Sequence, residues 1–214
     1  MRMNLRLVDS DKTISQKILS VLKSELSIAF NKAKNTITQN IKPIIRDSIK
    51  AEPEYTALIS GDLRYELGIP NPDIVDSIIE IWVNNINVNN KPIRIKSNQL
   101  SGGFAINMIK SDYADVLSSS NAVIVDSNTG SLVPWLEWLL LRGGDILVKD
   151  YEIKLGPNPR SRTGMAIMVS STENYRISAK YAGTENNNWV YRAMNKLDDT
   201  TMQNIIQNAL EKNI

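Results

Sequence analysis

Residues 153–172 read IKLGPNPRSRTGMAIMVSST, and the middle of this stretch differs from both ends. Before it, Tyr151, Ile153 and Leu155 alternate with charged neighbours, and after it 165–169 is an unbroken apolar run, so both flanks read as β-strand. Two prolines, two arginines and a glycine are packed into the eight residues 157–164. A tight hairpin favours Asn-Gly or Asp-Gly at two positions. This connection is longer, is stiffened by Pro157 and Pro159, and presents Arg160 and Arg162, which marks it as an exposed loop built to touch something.

Working outward, the period changes. On the C-terminal side a further strand, NYRISAKY, leads to a helical section, NNNWVYRAMNKLDDTTMQNIIQNALEKN. On the N-terminal side DILVKDYEIKL reads as strand, and SLVPWLEWLLLRGG reads as a short helix closed by Gly143 and Gly144. Before that come the strands INV, PIRIK, FAINMIK and NAVIVDS, with DYADVLSSS as a loop or one helical turn. The paired glycines at 102 and 103 read as turn glycines.

The first 85 residues are mostly helical. Residues 1–7 alternate as a short strand, and Asp11 or Thr13 then caps a long helix. Its apolar residues Ile14, Ile18, Leu22, Leu26, Ala29 or Phe30, Ala33, Ile37 and Ile41 recur at helical spacing. Pro43 is expected to end or bend it, with Ile44, Ile45 and Ile49 continuing on a second helical piece. Ser60-Gly61-Asp62 restarts a helical turn that Gly68 and Pro70 stop. Asn71-Pro72 opens a second helix, whose buried stripe is Ile74, Val75, Ile78, Ile79 and Trp82. The expected fold class is α+β: a long N-terminal helix and C-terminal helices packed on a mostly antiparallel β-sheet. The expected organisation is a single domain, helical over 1–85, sheet over 86–184 with a short helix inserted at 132–142, and helical again over 185–214.

Composition narrows the chemistry. The 214 residues are 42% hydrophobic, enough for a real core, and the net charge is only +2 with a sequence pI of about 8.7. With no cysteine, disulfides and thiolate chemistry are closed; with no histidine, so is the commonest neutral-pH base and metal ligand. The N-terminus lacks a signal-peptide apolar core, and the greasiest stretch, 132–141, is half of what spans a bilayer. Synthesis in the cytoplasm is therefore expected, with no membrane partner.

Three groups of residues invite a functional reading. Asp150, Glu152 and Lys154, with Asp145 nearby and Asp73 behind a proline, contain the short half of a nuclease motif in which carboxylates and a lysine hold magnesium. That reading predicts magnesium-dependent cleavage abolished by Glu152→Ala. The same residues equally fit the solvated face of a strand. Of the four tryptophans, Trp82 and Trp189 fall on apolar helix faces, whereas Trp135 and Trp138 lie three apart on the short helix, where one exposed ring would make a subunit contact. Arg160 and Arg162 suit either a phosphate backbone or an acidic groove on a neighbouring subunit. A general nucleic-acid-binding accessory protein is a further alternative, although no helix concentrates basic charge.

The order of parts carries a resemblance. The long first helix, Ser60-Gly61-Asp62-Leu63-Arg64, the sheet, Tyr181-Ala182-Gly183-Thr184 and the closing Asn188-Trp189-Val190-Tyr191-Arg192-Ala193 helix together resemble the neck and tail-completion proteins of tailed bacteriophages. PWLEWLLL, GPNPRSRTGMAIMV and YAGTENNNWVYRAM are similar to virion structural proteins of marine phages. The helix at 71–88 and the PWLEWLLL helix depart from the family pattern. The resemblance implies a non-enzymatic virion protein without cofactor or metal. It would form a ring of six copies at the head-tail junction, touching other neck and tail proteins and DNA only as it passes through the channel. It implies subunit or channel contacts at Pro157, Pro159, Arg160, Arg162, Trp135 and Trp138, and leaves adaptor, stopper, tail terminator and baseplate component unseparated.

Overall fold

The computed structural model describes residues 9–107, 113–126 and 130–213. The strand expected at 1–7 lies outside them, as does the end of the strand expected to run on to Lys110. The fold is α+β with a long N-terminal helix, C-terminal helices and small antiparallel β-sheets. It divides into two compact units: residues 1–41, 87–107 and 199–214 form the first, and 42–86 and 108–198 the second. Among the described residues no helix is long and apolar enough to cross a membrane.

Helix α1 (Asp11–Lys50) is continuous through Pro43, where an end or a bend was expected. The proline removes the donor for the Gln39 carbonyl, but Pro43 and Gln39 are both on the exposed side of the helix, where a missing internal bond costs little. Meanwhile Ala29, Ala33, Ile37, Ile41, Ile45 and Ile49 recur every four residues and are all buried, and this stripe keeps the helix whole on both sides of the proline.

In the first unit, α1 lies against a hairpin of β1 (Asn87–Lys96) and β2 (Gln99–Asn107). The chain's two phenylalanines, Phe30 and Phe104, stack at 4.7 Å, and Asn90 donates to the Asn31 side-chain oxygen at 2.6 Å. The hairpin turns on Ser97 and Asn98, both at positive φ (46° and 61°), the backbone of a two-residue turn whose twist matches the strands. Gly102 and Gly103 stand inside β2, not in a turn, at a register shift opposite Pro92 and Ile93. A Cβ on Gly102 would come within 2.8 Å of Ile93 Cγ1, so the bulge there requires the missing side chain. Helix α8 (Asp199–Glu211) completes this unit and buries Ala209.

The second unit is built on the last turns of α1 with α2 (Pro53–Ile59), α3 (Asp62–Glu66), α4 (Asp73–Asn84), α5 (Ala114–Leu117), α6 (Trp135–Leu141) and α7 (Trp189–Asn195). Two further strand pairs belong to it, β3 (Ile124–Val125) with β4 (Leu132–Val133), and β5 (Tyr151–Leu155) with β6 (Ala166–Ser170). Among the described residues, the continuous sheet read from sequence is therefore three separate two-stranded pieces. The segment NYRISAKY is not a strand: only Tyr175 bridges, to Val148, before the chain turns.

The motifs behind the resemblance are packing devices here. Leu63 is fully buried, and Arg64 caps the following turn by donating to the carbonyls of Ile59, Ile69 and Pro70. Asn188 is buried at the start of α7, where its oxygen accepts from Tyr191 N at 3.0 Å and its amide donates to the Tyr113 hydroxyl and Thr184 carbonyl. Trp189 packs edge-on against Trp82 at 5.7 Å, and its indole N–H donates to the Ile49 carbonyl at 2.9 Å. Arg192 pairs with the buried Glu54, and Lys196 pairs with the buried Glu52 at 2.7 Å.

Breaking one half of a buried pair leaves a desolvated charge and costs about 3–5 kcal/mol. Arg192→Ala is therefore expected to lower unfolding free energy by about 3 kcal/mol in a urea titration, and Glu54→Gln with Arg192→Ala to recover part of it. A loss below about 1 kcal/mol for Arg192→Ala would place the pair among weak surface interactions instead.

Candidate interaction site

The loop between β5 and β6 is ordered by its own bonds. Gly156 N donates to Met165 O at 2.8 Å, and Asn158 N to Gly164 O at 2.9 Å, which zips the base of the loop. Inside it, the Asn158 side-chain oxygen accepts from Arg160 N at 2.9 Å, and the Ser161 hydroxyl accepts from Thr163 N and Ala166 N. Gly164, at φ 77°, supplies a left-handed residue that most side chains disfavour. Pro157 and Pro159 are exposed on its outside. The loop is thus stiff before it meets anything.

The two arginines have different situations. Arg162 reaches back to an ion pair with Asp126, and its side chain keeps only 25% of its exposure. Its guanidinium lies against Gly68, where a Cβ would come within 2.9 Å of Nη1. Arg162 is therefore a strut that ties the loop to the end of β3 and the end of α3. Arg160 is exposed, and among the described residues its guanidinium has no partner.

The tryptophans divide in the same way. Trp135 is fully buried and donates its indole N–H to the Asn121 carbonyl at 2.7 Å, so its role is in the core. Trp138 is half-buried and lines a pocket of about 330 Å³ together with Glu66, Ile153, Arg160, Arg162 and Tyr175. Sequence reasoning singled out the arginines and tryptophans but missed Glu66 and Tyr175. Neither carries a local signal; Glu66 closes a five-residue helix, and Tyr175 sits in the segment read as a strand.

Burial shifts the ionisation of both residues. Among the described residues the buried Tyr175 hydroxyl has no hydrogen-bond partner, and burial pushes its phenol well above the ordinary range. Burial, with Asp62 adding to it, raises the Glu66 carboxyl above the usual carboxylate range.

The nuclease candidates are dispersed among other partners. Glu152 is bridged by Lys154 at 3.4 Å, Asp145 by Arg142 at 2.7 Å, and Asp73 stands in the first turn of α4. Asp150 holds a left-handed conformation at φ 58° with its N–H on the Asn174 side chain. Among the described residues no group of three or more His, Cys, Asp or Glu is placed to hold a metal ion.

Because the folded state raises the Glu66 pKa, ionising this carboxyl opposes folding, and the stability tied to its protonated form is lost as pH rises through the folded value. Glu66→Gln should therefore melt higher than the parent at pH 7, and the difference should close below the ordinary carboxyl range. Melting curves at several pH values test this, and a lower Tm for the variant at pH 7 would mean that the carboxylate has a stabilising role. No protein-family model matches the chain, no curated protein matches its sequence, and no solved structure matches its fold.

Proposed function

We propose that the protein is a virion structural component of a tailed bacteriophage. It acts by assembling with copies of itself into a ring at the head-tail junction and by docking neighbouring neck and tail proteins. The observation that carries this reading is the surface of the β5–β6 hairpin. Tyr151, Leu155, Met165 and Met168 are all exposed on it, beside the free Arg160 and the stiff loop. Tyrosine, methionine and arginine are the residues enriched where protein surfaces meet. A loop ordered in advance loses little entropy on docking.

A ring joins copies head to tail, so this hairpin must meet a different surface of its neighbour. The motif resemblance adds to the reading, because Gly61, Leu63, Arg64, Asn188, Trp189 and Arg192 each hold a packing or capping position. Their spacing is what a shared fold would preserve.

Light scattering of the purified protein, alone and with tail components, tests the proposal. A closed oligomer is expected, formed alone or on addition of tail components. Substituting Met168→Glu and Arg160→Glu should weaken association by about 2 kcal/mol or more, the size of an interface hot spot, while leaving the circular dichroism spectrum unchanged. A chain that stays monomeric under both conditions overturns it.

A further inference from the structure

The net charge of +2 conceals a division between the two units. The first unit carries eleven Lys and Arg against five Asp and Glu, a net +6, whereas the second carries fourteen against eighteen, a net −4. Half of the first unit's net charge, +3, lies on the β1–β2 hairpin, which holds three of its eleven cations. Lys91, Arg94 and Lys96 are exposed, and among the described residues none of them makes an ion pair. The hairpin residues 87–107 include no acidic residue.

We propose that this hairpin is a contact for the phosphate backbone of double-stranded DNA, with Lys91, Arg94 and Lys96 supplying the charge. Strand alternation puts the buried Ile93 on one face and Arg94 and Lys96 on the other, roughly 7 Å apart along the strand. Around the tip, Ser97, Asn98, Gln99 and Ser101 are exposed and uncharged, the kind of donor that joins Lys and Arg on phosphate oxygens. The turn at Ser97 and Asn98 sets the tip before contact. Arg162 is held by Asp126 and Arg160 is the one remaining arginine of its loop, so the β5–β6 loop offers no comparable cluster of cations.

The assignment does not rest on the ring reading, since a monomer that binds duplex satisfies it. Fluorescence anisotropy of a labelled duplex of about 30 base pairs, followed across a salt series, tests it with the full chain. Affinity is expected to fall with salt, and K91Q/R94Q/K96Q should flatten the log–log slope by about 2.7, near 0.9 for each phosphate no longer neutralised. K91R/K96R should bind like the parent, and Arg160→Gln should leave binding unchanged. Three results overturn the proposal: no binding at low salt, a triple variant with unchanged circular dichroism that binds like the parent, or polyglutamate competing as well as DNA. The last would assign the hairpin to an acidic protein instead.

Discussion

The carbonyl of Ile49 stands at the centre of the second unit. In a continuing helix it would accept from the residue four positions on, but that residue is Pro53, which has no N–H. Glu52 N supplies a 3.3 Å bond, and the Trp189 indole supplies a 2.9 Å one from 140 residues away in the chain. One residue earlier the Ser48 hydroxyl donates to the Ala193 carbonyl at 2.7 Å. The same seam brings Arg192 and Lys196 over Glu54 and Glu52, which α2 buries as it leaves α1. Segments that are remote in sequence are thus joined by polar groups with few alternative partners, and Trp82 closes the contact from α4.

Much of this was legible in the sequence, for identifiable reasons. The stripes of α1 and α4 repeat over enough turns to define a face, and Asn71 and Gly68 mark helix ends through backbone chemistry that any context preserves. The sheets were less legible. A strand shows as alternation, but which strand pairs with which depends on contacts distant in sequence. Hence INV and PIRIK, read as two pieces, are one strand, and the Ser97-Asn98 turn escaped notice because it lacks the usual glycine. The candidate site was half visible. The loop's stiffness follows from its prolines and small polar residues, whereas the diversion of Arg162 to Asp126 and the burial of Trp135 are tertiary facts with no local trace.

The two surfaces proposed for docking and for DNA fall in different units, which differ in charge. The second unit is acidic overall yet exposes an apolar hairpin beside a free arginine, which suits contact with protein. The first is basic and offers a narrow hairpin whose cations make no ion pair among the described residues, which suits a polyanion. A chain with nearly balanced totals can therefore contain two units of opposite net charge, and averaging over its length hides both.

The end of α6 meets the segment before α7 at two glycines, Gly143 and Gly183. A Cβ on Gly143 would fall 2.5 Å from Gly183 N, and one on Gly183 would fall 2.5 Å from the Leu139 carbonyl oxygen, while the two residues share a 2.8 Å hydrogen bond. The obstructing atoms are backbone, which has no side chain to swing aside. Any sequence that keeps this crossing must keep both positions bare, even after its surface has drifted beyond recognition. Two glycines forty residues apart, the second six positions ahead of the tryptophan that reaches Ile49, form a marker by which distant kin of this chain can be sought.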